Sequence, residues 1–252
     1  MQVSRTVAGW LARRLSLSPA SIGFVPTMGA LHCGHASLVK RSRAENELTV
    51  VSIFVNPAQF NDPTDLERYP RTVAQDLALL EELGVDEVLM PPAAEIYPFG
   101  RRFHIEEESL TQVMEGVSRP GFFQGVMTVV LKLLNLVRAD RAYFGEKDYQ
   151  QLEVIRDLAK EFFVPTEIVG CPTVRESSGL AASSRNLLLS PAGREKAAEI
   201  FRVLRTAADP LQAKTKLSEA GFTVDYVEEH FGRRFAAAHL EGIRLIDNVP
   251  LG

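Results

Sequence analysis

The chain has only two cysteines in 252 residues, Cys33 and Cys171, far apart in sequence. That scarcity excludes a disulfide framework and makes a reducing, cytoplasmic setting the expectation. No apolar run is long enough to span a membrane, so no membrane partner is expected. An excess of basic charge is also missing: 28 Lys and Arg stand against 32 Asp and Glu, a net charge of −4. Nucleic-acid surfaces usually need a basic face, so nucleic acid is not an expected partner either. There is no internal repeat and no low-complexity stretch. The opening residues, MQVSRTVAGWLARRLSLSP, interrupt their apolar positions with Arg5, Arg13 and Arg14. They read as an amphipathic helix, not as a signal peptide.

What is present is a globular balance, 46% hydrophobic and 24% charged. The length allows one large domain, or a large one with a small one. Strand-like and helix-like patterns alternate. Ile22–Thr27 is a short apolar run. From Gly34 to about Arg43 the spacing is helical, with Leu38 and Val39 inward. Residues 49–56 (TVVSIFVN) are nearly all apolar, as in a strand buried on both faces. Residues 72–83 form an amphipathic stretch that stops at Gly84. Further strands are predicted at 87–90, 141–145 and 166–170, and helices at 125–137 and 148–160. This alternation implies βαβ crossovers, hence an α/β class with a Rossmann-like parallel sheet. The pattern changes after Thr173. A helix at 191–208 and two strands, 223–227 and 243–247, predict a smaller C-terminal α+β domain. The expected division is 1–173 and 174–252.

Four segments carry chemistry. Pro26-Thr27-Met28-Gly29-Ala30-Leu31-His32-Cys33-Gly34-His35 sits where a strand turns into a helix. Ligands of parallel sheets bind outside the carboxyl ends of the strands. A helix start offers N–H groups and a positive dipole end to phosphate. Gly29 and Gly34 let backbone approach a ligand. His32 and His35, three apart, can face one phosphate, where an imidazolium would stabilise developing charge. A metal is not expected, because His32, Cys33 and His35 have no fourth ligand nearby.

The second segment, Phe54-Val55-Asn56-Pro57-Ala58-Gln59-Phe60, sets Asn56 and Gln59 among apolar residues. That mixture suits a small polar, partly aliphatic substrate, though a plain Asn-Pro turn fits it as well. In Phe144-Gly145-Glu146-Lys147-Asp148-Tyr149-Gln150-Gln151, Lys147 can meet a phosphate and Gln151 faces the same crevice. A solvated charge cluster is the ordinary alternative. Ser183-Ser184-Arg185-Asn186 offers two hydroxyls and a guanidinium as an anion grip, or a capping turn before a helix. No nucleophile triad is present.

In this order and spacing the four segments, with Tyr69-Pro70-Arg71 and a later RLIDNVP at residues 244–250, resemble the pantoate–β-alanine ligase (pantothenate synthetase) family. His32-Cys33-Gly34-His35 is similar to the HIGH signature and Ser183-Ser184-Arg185 to the KMSKS loop of the nucleotidylyl-transferase superfamily. The resemblance implies condensation of pantoate with β-alanine, driven by Mg-ATP through a pantoyl-adenylate. By position it implies an ATP site of Met28, Gly29, Ala30, Leu31, His32, Cys33, Gly34, His35, Gly145, Glu146, Lys147, Asp148, Val174, Ala182, Ser183, Ser184 and Arg185. Within it His35 would transfer the proton, and His32, Lys147 and Arg185 would act on the phosphates. Gln59 and Gln151 would bind pantoate, with Gln59 also near β-alanine. It further implies ATP as substrate, Mg²⁺ as its companion ion and a homodimer. Asp76 and the loop of residues 61–69 are possible contributors to holding Mg²⁺.

This chain departs from the family at four places. Phe122 stands where His is common, Gln124 where Arg is frequent, Ser178 for Asp and Ala182 for Met. Two other readings compete. A nucleotidylyl transferase acting on a phosphorylated alcohol would need a second basic cluster, and Asn56, Gln59 and Gln151 are neutral. A nucleotide-binding homologue without turnover would not need His32, His35, Lys147, Ser183, Ser184 and Arg185 all intact.

Overall fold

Residues 1–17, 20–60 and 63–251 are described by a computed structural model. Among them, β1 (Gln2–Ser4), β2 (Ile22–Thr27), β3 (Leu48–Ile53), β4 (Glu87–Leu89), β5 (Arg141–Gly145) and β6 (Glu167–Cys171) form one parallel sheet, ordered β1-β4-β3-β2-β5-β6. Phe24, Val25, Val50 and Val51 are fully buried at its centre. Strands laid down after β2 first run to one side of it, and β5 and β6 then lie on the other. The order therefore reverses between β2 and β5, the kind of place where parallel sheets bind ligands.

Helices α1 (Val7–Leu15), α2 (Cys33–Glu45), α3 (Pro63–Arg68), α4 (Val73–Glu82), α5 (Ala93–Ile96), α6 (Glu115–Ser118), α7 (Phe122–Val137) and α8 (Tyr149–Glu161) connect these strands. α7 is apolar almost all round, and most of its residues are buried. The amino-terminal stretch differs from expectation. Gln2–Ser4 pairs with β4, and Thr6 then caps α1 through its hydroxyl, which accepts the Gly9 N–H at 3.0 Å. Ser18 and Pro19, included in that predicted helix, lie outside the described residues. β3 stops at Ile53, short of the expected residue 56. Asn56 turns the chain instead, its side chain accepting the Ala58 N–H at 3.2 Å over a short 3₁₀ turn, Pro57–Gln59.

The later chain forms α9 (Pro191–Ala197), α10 (Glu199–Thr206), α11 (Pro210–Glu219) and the antiparallel strands β7 (Thr223–His230), β8 (Arg233–Leu240) and β9 (Ile243–Pro250), ordered β7-β8-β9. The single predicted helix is thus two, parted at Ala198. α11 was not expected; Asp209 caps it, accepting the Gln212 N–H at 2.8 Å, with Pro210 at its first position. β8 was read as a connection. Its Ala236-Ala237-Ala238 has weak strand propensity, yet all three are buried as the middle strand's contribution to the core. Phe231-Gly232 and Glu241-Gly242 have positive φ at both positions, the two-residue turns that tight hairpins favour.

Two compact units emerge. The first holds residues 1–31, 35–145 and 150–171; the second holds 32–34, 146–149 and 172–252. The short segments His32–Gly34 and Glu146–Tyr149, counted by sequence with residues 1–173, group with the C-terminal unit.

Candidate active site

In the first unit, β2 runs into a turn with Gly29 at φ 80° and Ala30 at φ 50°. A left-handed residue that is not glycine costs about 1–2 kcal/mol. Asp76 on α4, buried, stabilises this turn. Its Oδ2 accepts the Ala30 N–H at 3.0 Å and its Oδ1 the Leu31 N–H at 2.8 Å, while the Thr72 hydroxyl reaches Oδ1 at 3.2 Å. A Cβ on Gly29 would lie 3.0 Å from Asp76 Oδ2. The Ala30 and Leu31 amides are therefore committed to protein. A cavity of about 220 Å³ opens beside this turn, lined by Met28 and Gly29 after β2, Phe54 and Val55 after β3, and Met90 and Pro91 after β4.

The glutamine segment also sorts itself. Asn56 is 1% exposed and fully engaged. Its Oδ1 accepts from Tyr97 Oη at 2.7 Å and its Nδ2 donates to Gly125 O at 3.1 Å and Gln59 Oε1 at 3.0 Å. It is a brace for the loop, not a substrate ligand. Burial raises the Tyr97 hydroxyl pKa to about 12, so the phenol stays protonated to donate this bond. Gln59 has its backbone carbonyl held by Arg119 Nη2 at 3.3 Å, and among the described residues its side-chain Nε2 makes no hydrogen bond. α7 approaches so closely that a Cβ on Gly125 would sit 2.3 Å from Ala58 O. Phe122, the unusual residue, is buried beneath the Arg119 guanidinium, 3.6 Å from its carbon to the ring centre. It thereby supports the arginine that holds Gln59. Gln124 Nε2 donates to Glu106 Oε1 at 2.5 Å. Of the two adjacent glutamines on α8, Gln150 is buried, bonded to Leu110 O, Val113 O and the Glu115 N–H. Gln151 is only partly buried and makes no described side-chain bond. Gln59 and Gln151 do not line the cavity beside the Gly29 turn. His35 lies on α2 in this unit, partly buried.

In the second unit, His32 Nδ1 accepts the Gly34 N–H at 3.1 Å. A Cβ on Gly34 would meet that ring at 2.8 Å and Ala182 at 3.7 Å. Burial lowers the His32 pKa below 6.5, the Lys147 charge lowers it further and Asp148 opposes. In these surroundings the imidazolium expected for His32 is disfavoured. With Nδ1 accepting, the neutral ring carries its proton on Nε2 and donates from there. It also removes the Gly34 amide from the N–H groups available to phosphate.

Lys147, Ser183 and Arg185 converge with Arg244 around a small cavity of about 20 Å³, room for one water or one anionic oxygen. Asn248 holds the lysine's turn: its Nδ2 donates to Glu146 O and Lys147 O, each at 2.9 Å. The SSR loop is held from the same strand. Arg175 pairs bidentately with Asp247 at 2.6 and 2.9 Å, and Val174 O accepts the Ala182 N–H at 2.9 Å. Asn186 Nδ2 donates to Ala181 O and Glu176 Oε1, both at 3.0 Å. Ser183 is also a cap, its Oγ accepting the Arg185 N–H at 3.3 Å. Ser178 Oγ accepts the Leu180 N–H at 3.3 Å, a turn-closing bond open to the family's usual Asp as well. Gly145 ends β5, and Ser184 opens the 3₁₀ turn Ser184–Leu188. Cys33 is an exposed free thiol.

Arg244, Asn248 and Arg119 were missed as site residues. The RLIDNVP match flags the first two, and nothing local distinguishes Arg119 from a surface arginine. Among the described residues, no three His, Cys, Asp or Glu side chains group to hold a metal ion. Asp76, considered for Mg²⁺, spends its oxygens on backbone amides. Asn61 and Asp62, in the other stretch considered, lie outside the described residues.

A profile of the pantoate-beta-alanine ligase family matches residues 2–250. A pantothenate synthetase of Bdellovibrio bacteriovorus is 50% identical over 250 residues, covering 99% of each chain. One from Legionella pneumophila is 51% identical over 252 residues, covering 100% of each. The crystal structure of a pantoate-beta-alanine ligase from Francisella tularensis, complexed with beta-gamma ATP and beta-alanine, superposes with TM-score 0.95 at 42% identity, over 99% of this chain and 97% of that one. A pantothenate synthetase from Thermus thermophilus gives 0.90 at 43%, over 99% of each.

Proposed function

Because the chain belongs to the pantoate–β-alanine ligase family, we propose that it condenses pantoate with β-alanine, consuming ATP and releasing AMP and pyrophosphate. The observation that carries this reading is the end-to-end likeness to a ligase crystallised with a nucleotide and β-alanine. In the first step a pantoate carboxylate oxygen bonds to the α-phosphorus of ATP. The bond from that phosphorus to its bridging oxygen breaks, and pyrophosphate leaves with the electron pair. In the second, the β-alanine nitrogen attacks the pantoyl carbonyl carbon, the bond to AMP breaks, and the amine loses a proton.

The substrate's own carboxylate is the nucleophile, so the protein's task is alignment and charge stabilisation. Lys147, Ser183, Ser184 and Arg185 take the phosphates, supported by the anion-sized cavity that gathers three of them with Arg244. Neutral His32 donates from Nε2, and His35 handles the proton. Met28, Gly29, Ala30, Leu31, Cys33 and Gly34 contribute to the nucleotide site, as do Gly145, Glu146 and Asp148. Val174 contacts the base through its backbone, and Ala182 closes on the phosphates with the serines and arginine that follow it. Gln59 and Gln151 hold pantoate, the reading favoured by the absence of described partners for either side-chain amide nitrogen. Mg²⁺ enters bound to the triphosphate and water, in keeping with its preference for phosphate oxygens.

No helix of the described residues is long and apolar enough to cross a membrane. A reducing cytoplasm suits an exposed free thiol at Cys33. The chain acts as a homodimer, and sedimentation is expected to give about twice 27.9 kDa. The decisive assay is exchange of labelled pyrophosphate into ATP. Exchange is expected only when pantoate is supplied. Exchange that ignores pantoate, or none in its presence, overturns the ligase reading.

A further inference from the structure

The geometry points to Asp76 as a positioning residue for adenylate formation, acting by clamping the turn that leads from β2 into the histidine motif. This rests on the ligase reading above. Asp76 sits on α4, 45 residues from Leu31 in sequence, and is 3% exposed. A buried carboxylate is expensive unless its oxygens are satisfied. Here the satisfaction comes from two successive amides of the turn, Ala30 to Oδ2 and Leu31 to Oδ1.

Those amides cannot be met by helix or sheet bonds. They lie beyond Thr27, where β2 and its pairing with β3 end, and Gly29 at φ 80° and Ala30 at φ 50° leave the extended course of the strand. A charged acceptor opposite them selects this backbone over the ordinary right-handed one, because charge-assisted bonds are the stronger kind. The next residue after Leu31 is His32, so a small rotation in the turn is carried straight to the imidazole. The carboxylate is also tuned from its far side, where the Thr72 hydroxyl donates to Oδ1. Gly29 completes the fit, because a Cβ there would stand 3.0 Å from Oδ2 and 3.2 Å from Ile53 Cγ2. Asp76 touches no substrate in this scheme. It acts through backbone.

The test is pantoate-dependent pyrophosphate exchange by Asp76→Asn beside Asp86→Asn. Asp86 makes a comparable clamp, its Oδ2 accepting the Thr49 N–H at 2.8 Å, but at the amino end of β3. Asp76→Asn keeps one acceptor and turns an NH₂ toward an amide donor. Its exchange kcat is expected to fall about thirtyfold with the KM for pantoate within twofold of wild type. Asp86→Asn is expected to lower Tm while leaving exchange unchanged. Ala30→Gly added to Asp76→Asn is expected to recover at least fivefold, because glycine adopts the turn without strain. Should Asp76→Asn not fold, Thr72→Val removes only the outer bond, and a threefold fall in exchange is expected. Wild-type exchange with an undiminished Asp76→Asn, or a fall that Asp86→Asn reproduces, overturns the assignment; with a non-folding Asp76→Asn, undiminished exchange by Thr72→Val does so. Loss of pantoate dependence in the wild type would instead sink the ligase reading itself.

Discussion

Asn248 donates both hydrogens of its side-chain amide, one to the carbonyl of Glu146 and one to that of Lys147, each at 2.9 Å. Residues about a hundred apart in sequence are thereby joined, and the turn that carries Lys147 is fixed by β9. Asn248→Ala removes a donor from each of two carbonyls beside a residue that is 1% exposed. A cost of about 2–3 kcal/mol is expected in urea unfolding. The KM for ATP is expected to rise as Lys147 loses its fixed position. An ATP titration with unchanged KM would refute the positional role.

His32 makes a pH prediction. Burial, and then Lys147, hold its folded pKa below the ordinary 6.5. The unfolded chain therefore takes up its proton first as the pH falls. The stability that His32 contributes is present above pH 6.5 and is lost as the pH falls through the lowered folded value. His32→Gln keeps a neutral donor at the Nε2 position and removes the titration. It is expected to retain activity within about tenfold, to outperform His32→Ala, and to lose less Tm on acidification. Equal acid sensitivity in His32→Gln and wild type would contradict this.

Gln150 and Gln151 are neighbours with opposite expected phenotypes. Gln150→Ala orphans the Glu115 amide and removes a donor from the Leu110 and Val113 carbonyls, the latter keeping the Gly116 N–H, at a cost of about 1–3 kcal/mol in thermal or urea unfolding. Gln151→Ala is expected to change stability by less than about 0.5 kcal/mol. Its KM for pantoate is expected to rise about tenfold, the loss of one hydrogen bond to substrate. Reversed phenotypes would mean that the substrate role belongs to Gln150.

Gly125→Ala drives a methyl group against the Ala58 carbonyl, where only 2.3 Å is available. Backbone cannot step aside as a side-chain tip can. A loss of about 1–3 kcal/mol is expected, with weaker pantoate binding as Gln59 is displaced. Calorimetry and a pantoate titration read the two effects separately, and a variant as stable as wild type would show that the two backbones separate freely.

Some of this protein is legible one segment at a time. β2 and β5 fall on the predicted residues, because short apolar runs buried on both faces carry their signal locally. The turns after β2 and β5 also fall where the sequence puts them, since glycine with histidine or lysine directly after a strand is an uncommon conjunction. β8 is not, because three alanines favour no strand until β7 and β9 flank them. α9 and α10 look like one helix because the break at Ala198 leaves no Gly or Pro signal.

The polar side chains divide in the same way. Asp76 reads as a possible Mg²⁺ contributor and Asn56 as suited to a small substrate or a plain turn, while nothing in the sequence tells Gln150 from Gln151. Each kind of side chain has the same hydrogen-bonding capacity wherever it lies. Whether that capacity is spent on the chain or left for a ligand depends on partners brought near from 35 to 69 residues away, Glu115 for Gln150, Leu31 for Asp76 and Gly125 for Asn56. Residue type and spacing specify the chemistry available at the ends of the strands. Long-range packing decides which groups remain free to perform it, because a buried polar atom must find a partner and a substrate-binding atom must be spared one.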